Sequence, residues 1–199
     1  QKSKVIKIIQ DLKRYHEWFI KFRDPNNTGL VSILHPWESG YDNSPIWDKP
    51  MEKVTENEFN NVFKVNAKSV YYCAKYFVPK MKKLKRGIIL NIASTAGLSP
   101  RPKLNWYNAS KGWMITATKS MAVELAPFGI RVNALNPVAG ETPLLKSFLG
   151  EDTPEMRAKF LSTIPLGRFS TPQDLGNAAL FLCSDEATMI TGIGMEVDG

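Results

Sequence analysis

Cysteine and histidine are scarce: Cys73, Cys183, His16 and His35 are all that the 199 residues contain. Two cysteines far apart within helical patterns offer neither a disulfide framework nor a CxxC clip, and they read as packing residues in a reducing compartment. Neither histidine has Cys or His companions at ligand spacing, which argues against a metal site. There is also no apolar run long enough to span a bilayer and no charged-then-apolar leader after Gln1, so the reading is a cytoplasmic chain with no membrane partner. The 43% hydrophobic content is enough for one ordinary core.

Positive charge is in excess, with a formal net charge of +7. Its densest run, Lys80, Lys82, Lys83, Lys85 and Arg86, falls at the carboxyl end of an expected helix, where cations offset the exposed carbonyls. That placement speaks for a solvated helix end and against nucleic acid. The aromatics between Trp106 and Trp113 read as helix-packing or subunit-contact groups rather than a base-stacking platform.

The elements announce themselves by their caps. Thr55 with Glu58 forms a capping box, and Phe59, Val62, Phe63 and Val70 recur at helical spacing, predicting one helix over residues 55–83. Ile88, Ile89, Leu90 and Ile92 predict a short buried strand. A helix over 106–125 follows, stopped by Pro127 and Gly129, and then a strand carrying Ile130, Val132, Ala134 and Leu135. Thr171 caps a helix with Pro172 in its first turn that runs to Cys183, and Ile193, Met195 and Val197 form a last strand. Strand and helix alternate, which makes the fold class α/β with parallel strands and crossover helices.

In such sheets the chemistry lies just past the carboxyl ends of the strands. Ser94 follows the first strand, and Tyr107 and Lys111 open the next helix in the sequence Tyr-Asn-Ala-Ser-Lys. Four positions apart, the phenol and the ammonium share one helix face. A tyrosine of ordinary pKa, about 10, is a poor base at neutral pH. A nearby ammonium favours the phenolate and brings it toward the operating range for acid/base work. By itself this spacing also occurs on ordinary surface helices, Ser94 also suits a turn, Asn66 a polar helix face and Thr142 a cap.

Taken together, Asn66 in Val-Asn-Ala, Ser94 at the end of Asn-Ile-Ala-Ser, Tyr107 and Lys111 resemble the Asn-Ser-Tyr-Lys tetrad of the short-chain dehydrogenases/reductases. The segment Arg131-Val132-Asn133 to Asn136-Pro137-Val138-Ala139-Gly140-Glu141-Thr142 is similar to the family's loop against the nicotinamide, with Val138 where the family usually has glycine. Pro165-Leu166-Gly167-Arg168, Thr171-Pro172-Gln173-Asp174 and Thr191-Gly192 with Val197-Asp198-Gly199 resemble its last loop, helix and strand. The resemblance implies a Rossmann-like fold and NAD(P)-dependent hydride transfer between a small carbonyl and an alcohol. It makes Tyr107 the acid/base, Lys111 its pKa perturber and ribose ligand, Ser94 the holder of the substrate oxygen and Asn66 the anchor of a water relay. Tyr107, Lys111, Pro137, Val138 and Thr142 are implied contacts of NAD or NADP. Residues 144–164 correspond to a substrate lid, and the helices from Thr55 and Trp106 to a homo-oligomer interface if the fold is complete.

Residues 1–48 do not follow that pattern. No glycine-rich turn for a pyrophosphate occurs there, since Thr28-Gly29 is followed by Leu30, Val31 and Ser32. Val5, Ile8, Ile9, Leu12, Tyr15, Trp18 and Phe19 predict a helix. The run from His35-Pro36-Trp37-Glu38 through Ser39-Gly40-Tyr41-Asp42-Asn43 to Trp47-Asp48 resembles the sugar-binding loop of inverting glycoside hydrolases of the processing α-glucosidase and mannosylglycerate hydrolase type. That resemblance makes Asp42 a general acid, and inversion needs a second carboxylate roughly 6.5–9.5 Å away. The expected organisation is therefore a chimeric fragment: a foreign helix and loop over 1–48 and an incomplete doubly wound parallel sheet over 49–199. Little activity and a tendency to aggregate through an exposed strand edge are expected of it. The alternatives are a glycoside hydrolase fragment and a non-catalytic oligomerising protein.

Overall fold

The structure, a computed structural model, describes residues 50–142, 145, 149 and 152–199. All of them belong to the unit Asp42–Gly199. His16, His35, Asp42 and the glycosidase-like loop lie outside the described residues, as does most of the first part of the expected lid.

Helix α1, Glu56–Asn66, begins where its cap predicts: the Thr55 hydroxyl accepts from the Glu58 amide at 3.3 Å, and the Thr55 amide donates to the Glu58 carboxylate at 2.8 Å. The single helix expected over 55–83 is in fact two. Helix α2, Lys68–Leu84, starts after a break at Ala67, whose φ of −105° is off the helical value. The break sits beside Asn66, whose carboxamide is drawn sideways into a bond with Ser110 of a later helix (2.9 Å). A long-range tie of this kind leaves no trace in local periodicity.

Among the described residues three strands follow: β1 (Gly87–Ile92), β2 (Ile130–Pro137) and β3 (Gly194–Val197), parallel and in the order β1-β2-β3. Gly87 pairs with Ile130 and Ile92 with Leu135; Ala134 pairs with Gly194 and Pro137 with Val197. Helix α3, Asn105–Leu125, connects β1 to β2. After β2 come α4, Pro154–Leu161, and α5, Pro172–Cys183, before β3. The caps of α5 match the sequence reading, with Thr171 and Asp174 bonded reciprocally. Gly129 turns the chain from α3 into β2 at φ 68°, and a Cβ there would lie 2.6 Å from the Lys85 carbonyl oxygen, so only glycine suits the position.

The core lies between the sheet and α3. Val70, Ala93, Met114, Ile115 and Ala134 form one cluster, and Ala122, Leu125, Ile130 and Val132 another. Strand β2 is the buried one, with Val132 and Ala134 fully enclosed. The strand expected to be buried, β1, is mostly half-buried and leaves Ile92 51% exposed. Among the described residues it pairs on one side only, which accounts for the difference. The two cysteines also depart from expectation. Cys73 and Cys183 are free and exposed, because each falls on the outward face of its helix.

Candidate active site

Tyr107 and Lys111 stand one turn apart on the inward face of α3, and both are buried. An ammonium that is only 4% exposed is uncommon and requires polar company. The Lys111 Nζ donates to the Ile92 carbonyl at 3.0 Å, at the carboxyl end of β1, and lies 5.6 Å from the centroid of the Tyr107 ring. This couples α3 to the strand end where ligands of parallel sheets are received.

Ser94 leaves β1 on extended backbone and caps a short turn, Thr95–Gly97, its hydroxyl accepting from the Ala96 amide at 3.1 Å. The turn is held against α3. Ala96 shares a core cluster with Tyr107 and Val62. A Cβ on Gly97 would lie 2.8 Å from the Gly112 amide nitrogen and from the Lys111 carbonyl carbon. Glycine at 97 thus lets the Ser94 turn press directly on the Lys111 turn, and the structure brings Ser94, Tyr107 and Lys111 into one neighbourhood.

Asn66 joins them from α1. Its Nδ2 donates to Ser110 Oγ at 2.9 Å, and the Ser110 hydroxyl donates to the Tyr107 carbonyl at 2.7 Å, all of it buried. The loop after β2 approaches from the other side: the Thr95 hydroxyl donates to the Pro137 carbonyl at 3.3 Å, and the Val138 amide donates to the Val197 carbonyl at 3.2 Å. Val138 packs on the cluster of Leu145, Leu149, Phe160, Ile164 and Phe169. Thr142 stands apart from this group. It is exposed, and its bonds run through the backbone to Gly140 and Leu145.

Residues 38–199 match the family described as Enoyl-(Acyl carrier protein) reductase. The chain belongs to the short-chain dehydrogenase/reductase family. It is 49% identical over 153 residues to 4-formylbenzenesulfonate dehydrogenase of Comamonas testosteroni, an alignment covering 76% of this chain and 61% of the relative. It is 37% identical over 174 residues to a cyclopentanol dehydrogenase of a Comamonas species, covering 87% of this chain and 63% of the relative. The crystal structure of a 3-ketoacyl-(acyl-carrier-protein) reductase from Brucella melitensis, complexed with NADH, is similar at a TM-score of 0.70 and 47% identity over 76% of this chain and 61% of that one. The chain thus spans about three-fifths of the length of these dehydrogenase/reductase relatives. An alignment of 174 residues in a chain of 199 also reaches upstream of residue 49.

Two features of this site were not singled out in the sequence. Asn108 and Ser110, which lie between Tyr107 and Lys111, are both buried and both bonded, Asn108 Nδ2 donating to the Arg101 carbonyl at 2.8 Å. Polar residues at successive inward positions of a helix were the available signal. Arg101 is the second: its guanidinium carbon lies 3.9 Å from the centroid of the Phe160 ring, which ties the segment before α3 to α4.

Proposed function

We propose that this chain carries the catalytic part of an NAD(P)-dependent dehydrogenase/reductase that interconverts a small carbonyl compound and its alcohol. The observation that carries the reading is the buried Lys111 ammonium, fixed by Ile92 beside the Tyr107 ring. Bound nicotinamide supplies or accepts the hydride. In the reducing direction the Tyr107 hydroxyl gives its proton to the substrate oxygen, and in the oxidising direction it takes that proton back. Because the Ser94 oxygen accepts from Ala96, its own hydrogen points elsewhere and serves as donor to the same substrate oxygen.

The residues present suit the nicotinamide end of a dinucleotide. Lys111 offers an enclosed ammonium to a ribose hydroxyl, Pro137 is the last residue of β2, and Val138 and Thr142 lie on the loop past its carboxyl end. The Asn66 side chain is committed to Ser110, so the group it offers to a water relay is its carbonyl, at a helix end where intrahelical partners run out. Two free thiols support a reducing, cytoplasmic setting. Among the described residues no helix is long and apolar enough to cross a membrane.

The test is carbonyl-dependent oxidation of NADH and NADPH by residues 49–199 fused behind the N-terminal part of the 4-formylbenzenesulfonate dehydrogenase relative, lost on Tyr107→Phe with nicotinamide binding retained. Rates unchanged by that substitution would reject the proposal. Residues 1–48 carry a separate one, a glycosidase-like segment with Asp42 as general acid joined to the dehydrogenase part. DNA sequence across codons 30 to 70, with the upstream frame, tests the junction, and sugar release indifferent to Asp42→Asn would end the glycosidase reading.

A further inference from the structure

The loop after β2 is held at three points. Val138 packs into the apolar cluster that contains Phe160 of α4. Gly140 bridges to Ser170, the Glu141 amide donating to the Ser170 carbonyl at 2.8 Å and the Ser170 amide to the Ala139 carbonyl at 3.3 Å. The third hold is ionic. The Glu141 carboxylate accepts from Arg157 Nη1 at 3.0 Å, while Nε and Nη2 of the same guanidinium donate to the two oxygens of Asp152, Nη2 at 3.0 Å. Helical side chains lean toward the amino end of their helix, which carries Arg157 of α4 back over Asp152, just ahead of the Thr153 cap. Asp152, and Glu141 after it, hold the guanidinium above its ordinary range. A planar guanidinium meets one carboxylate with a pair of donors and keeps another N–H for a second acid, which an ammonium cannot copy. Arg168 makes a similar fork elsewhere: its bonds go to Asp174 and to the Phe169 carbonyl.

We propose that Arg157 is a positioning residue for the nicotinamide: by tying Glu141 to the start of α4 it fixes the loop that carries the implied contacts Val138 and Thr142, and it governs nicotinamide affinity rather than proton transfer at Tyr107. The inference rests on the dehydrogenase reading and adds a residue to it.

The experiment has two arms. Amide hydrogen exchange over residues 139–142 is followed in the full chain. Arg157→Gln is expected to speed it about fivefold, the range of an exposed ion pair. Glu141→Gln should do the same, and the two together should add little more, because they break one contact. Arg157→Lys should recover part of the protection, and Arg168→Gln should leave these amides unchanged. The second arm measures KM and kcat for NADH and NADPH in residues 49–199 fused behind the N-terminal part of the 4-formylbenzenesulfonate dehydrogenase relative. Arg157→Gln should raise the nicotinamide KM about fivefold at nearly constant kcat, and Arg168→Gln should change neither. Exchange untouched by Arg157→Gln, an unmoved KM, a fall in kcat alone, or an equal KM shift in Arg168→Gln would overturn the proposal. Should Arg157→Gln lose its fold by circular dichroism, Glu141→Gln carries the test under the same expectations. An unaltered fusion without turnover sinks the dehydrogenase reading and the nicotinamide role with it, whereas turnover with an unmoved KM sinks the role of Arg157 alone.

Discussion

Asn66 and Ser110, 44 positions apart, are joined by a buried 2.9 Å hydrogen bond that pins α1 to α3. The same serine donates to the Tyr107 carbonyl, so the bond reaches the turn that bears the phenol. Asn66→Ala removes one partner and leaves the Ser110 oxygen enclosed without its donor, at a cost of about 1–3 kcal/mol. Urea denaturation of Asn66→Ala, Ser110→Ala and the double variant measures it. The double variant is expected to cost less than the two single costs combined.

Gly97 and Gly176 give opposite expectations for the same substitution. Gly97→Ala drives a Cβ into the backbone of Lys111 and Gly112, and the resulting shift of the Ser94 turn destabilises by about 1–3 kcal/mol. Gly176 lies inside α5 with nothing within 4 Å of its would-be Cβ. Gly176→Ala should stabilise by roughly 0.4–1 kcal/mol. Thermal melts of the two variants check both signs.

The start of α5 should be acid-sensitive. The Arg168 guanidinium, and after it the Thr171 hydroxyl and amide, hold the Asp174 carboxyl well below the usual carboxylate range. A depressed carboxylate stabilises the fold above its unfolded pKa, about 4, and that contribution fades as pH falls below this value. Stability measured from pH 6 to pH 2 should decline less steeply in Asp174→Asn. Because Arg168 is half exposed, high salt should flatten the wild-type curve as well.

The outward face of α2 carries exposed Tyr71, Tyr72, Tyr76 and Phe77. An apolar patch of this kind favours self-association. Light scattering should show a mass that rises with concentration, and the pair Tyr76→Glu and Phe77→Glu should shift it toward monomer. A cooperative thermal transition from a monomer, independent of concentration, would contradict the expectation.

Where the fold was legible, local chemistry determined it. The Thr55 and Thr171 capping boxes placed the starts of α1 and α5, and Gly129 marked the turn into β2, because caps and left-handed turns act over a few residues. What escaped was decided at long range. The break at Ala67 accompanies the bond to Ser110, the exposure of β1 depends on which strands lie beside it, and Cys73 and Cys183 point outward because of helix orientation. The Tyr107 and Lys111 pairing was readable from spacing on one helix, whereas Arg101 became visible only when Phe160 of a later helix was placed against it.

The most direct measurement is carbonyl-dependent NADH and NADPH oxidation by residues 49–199 fused behind the N-terminal part of the 4-formylbenzenesulfonate dehydrogenase relative, with and without Tyr107→Phe. The account predicts turnover that falls about 100-fold or more in the variant while nicotinamide binding persists. Equal rates in the two proteins would contradict it.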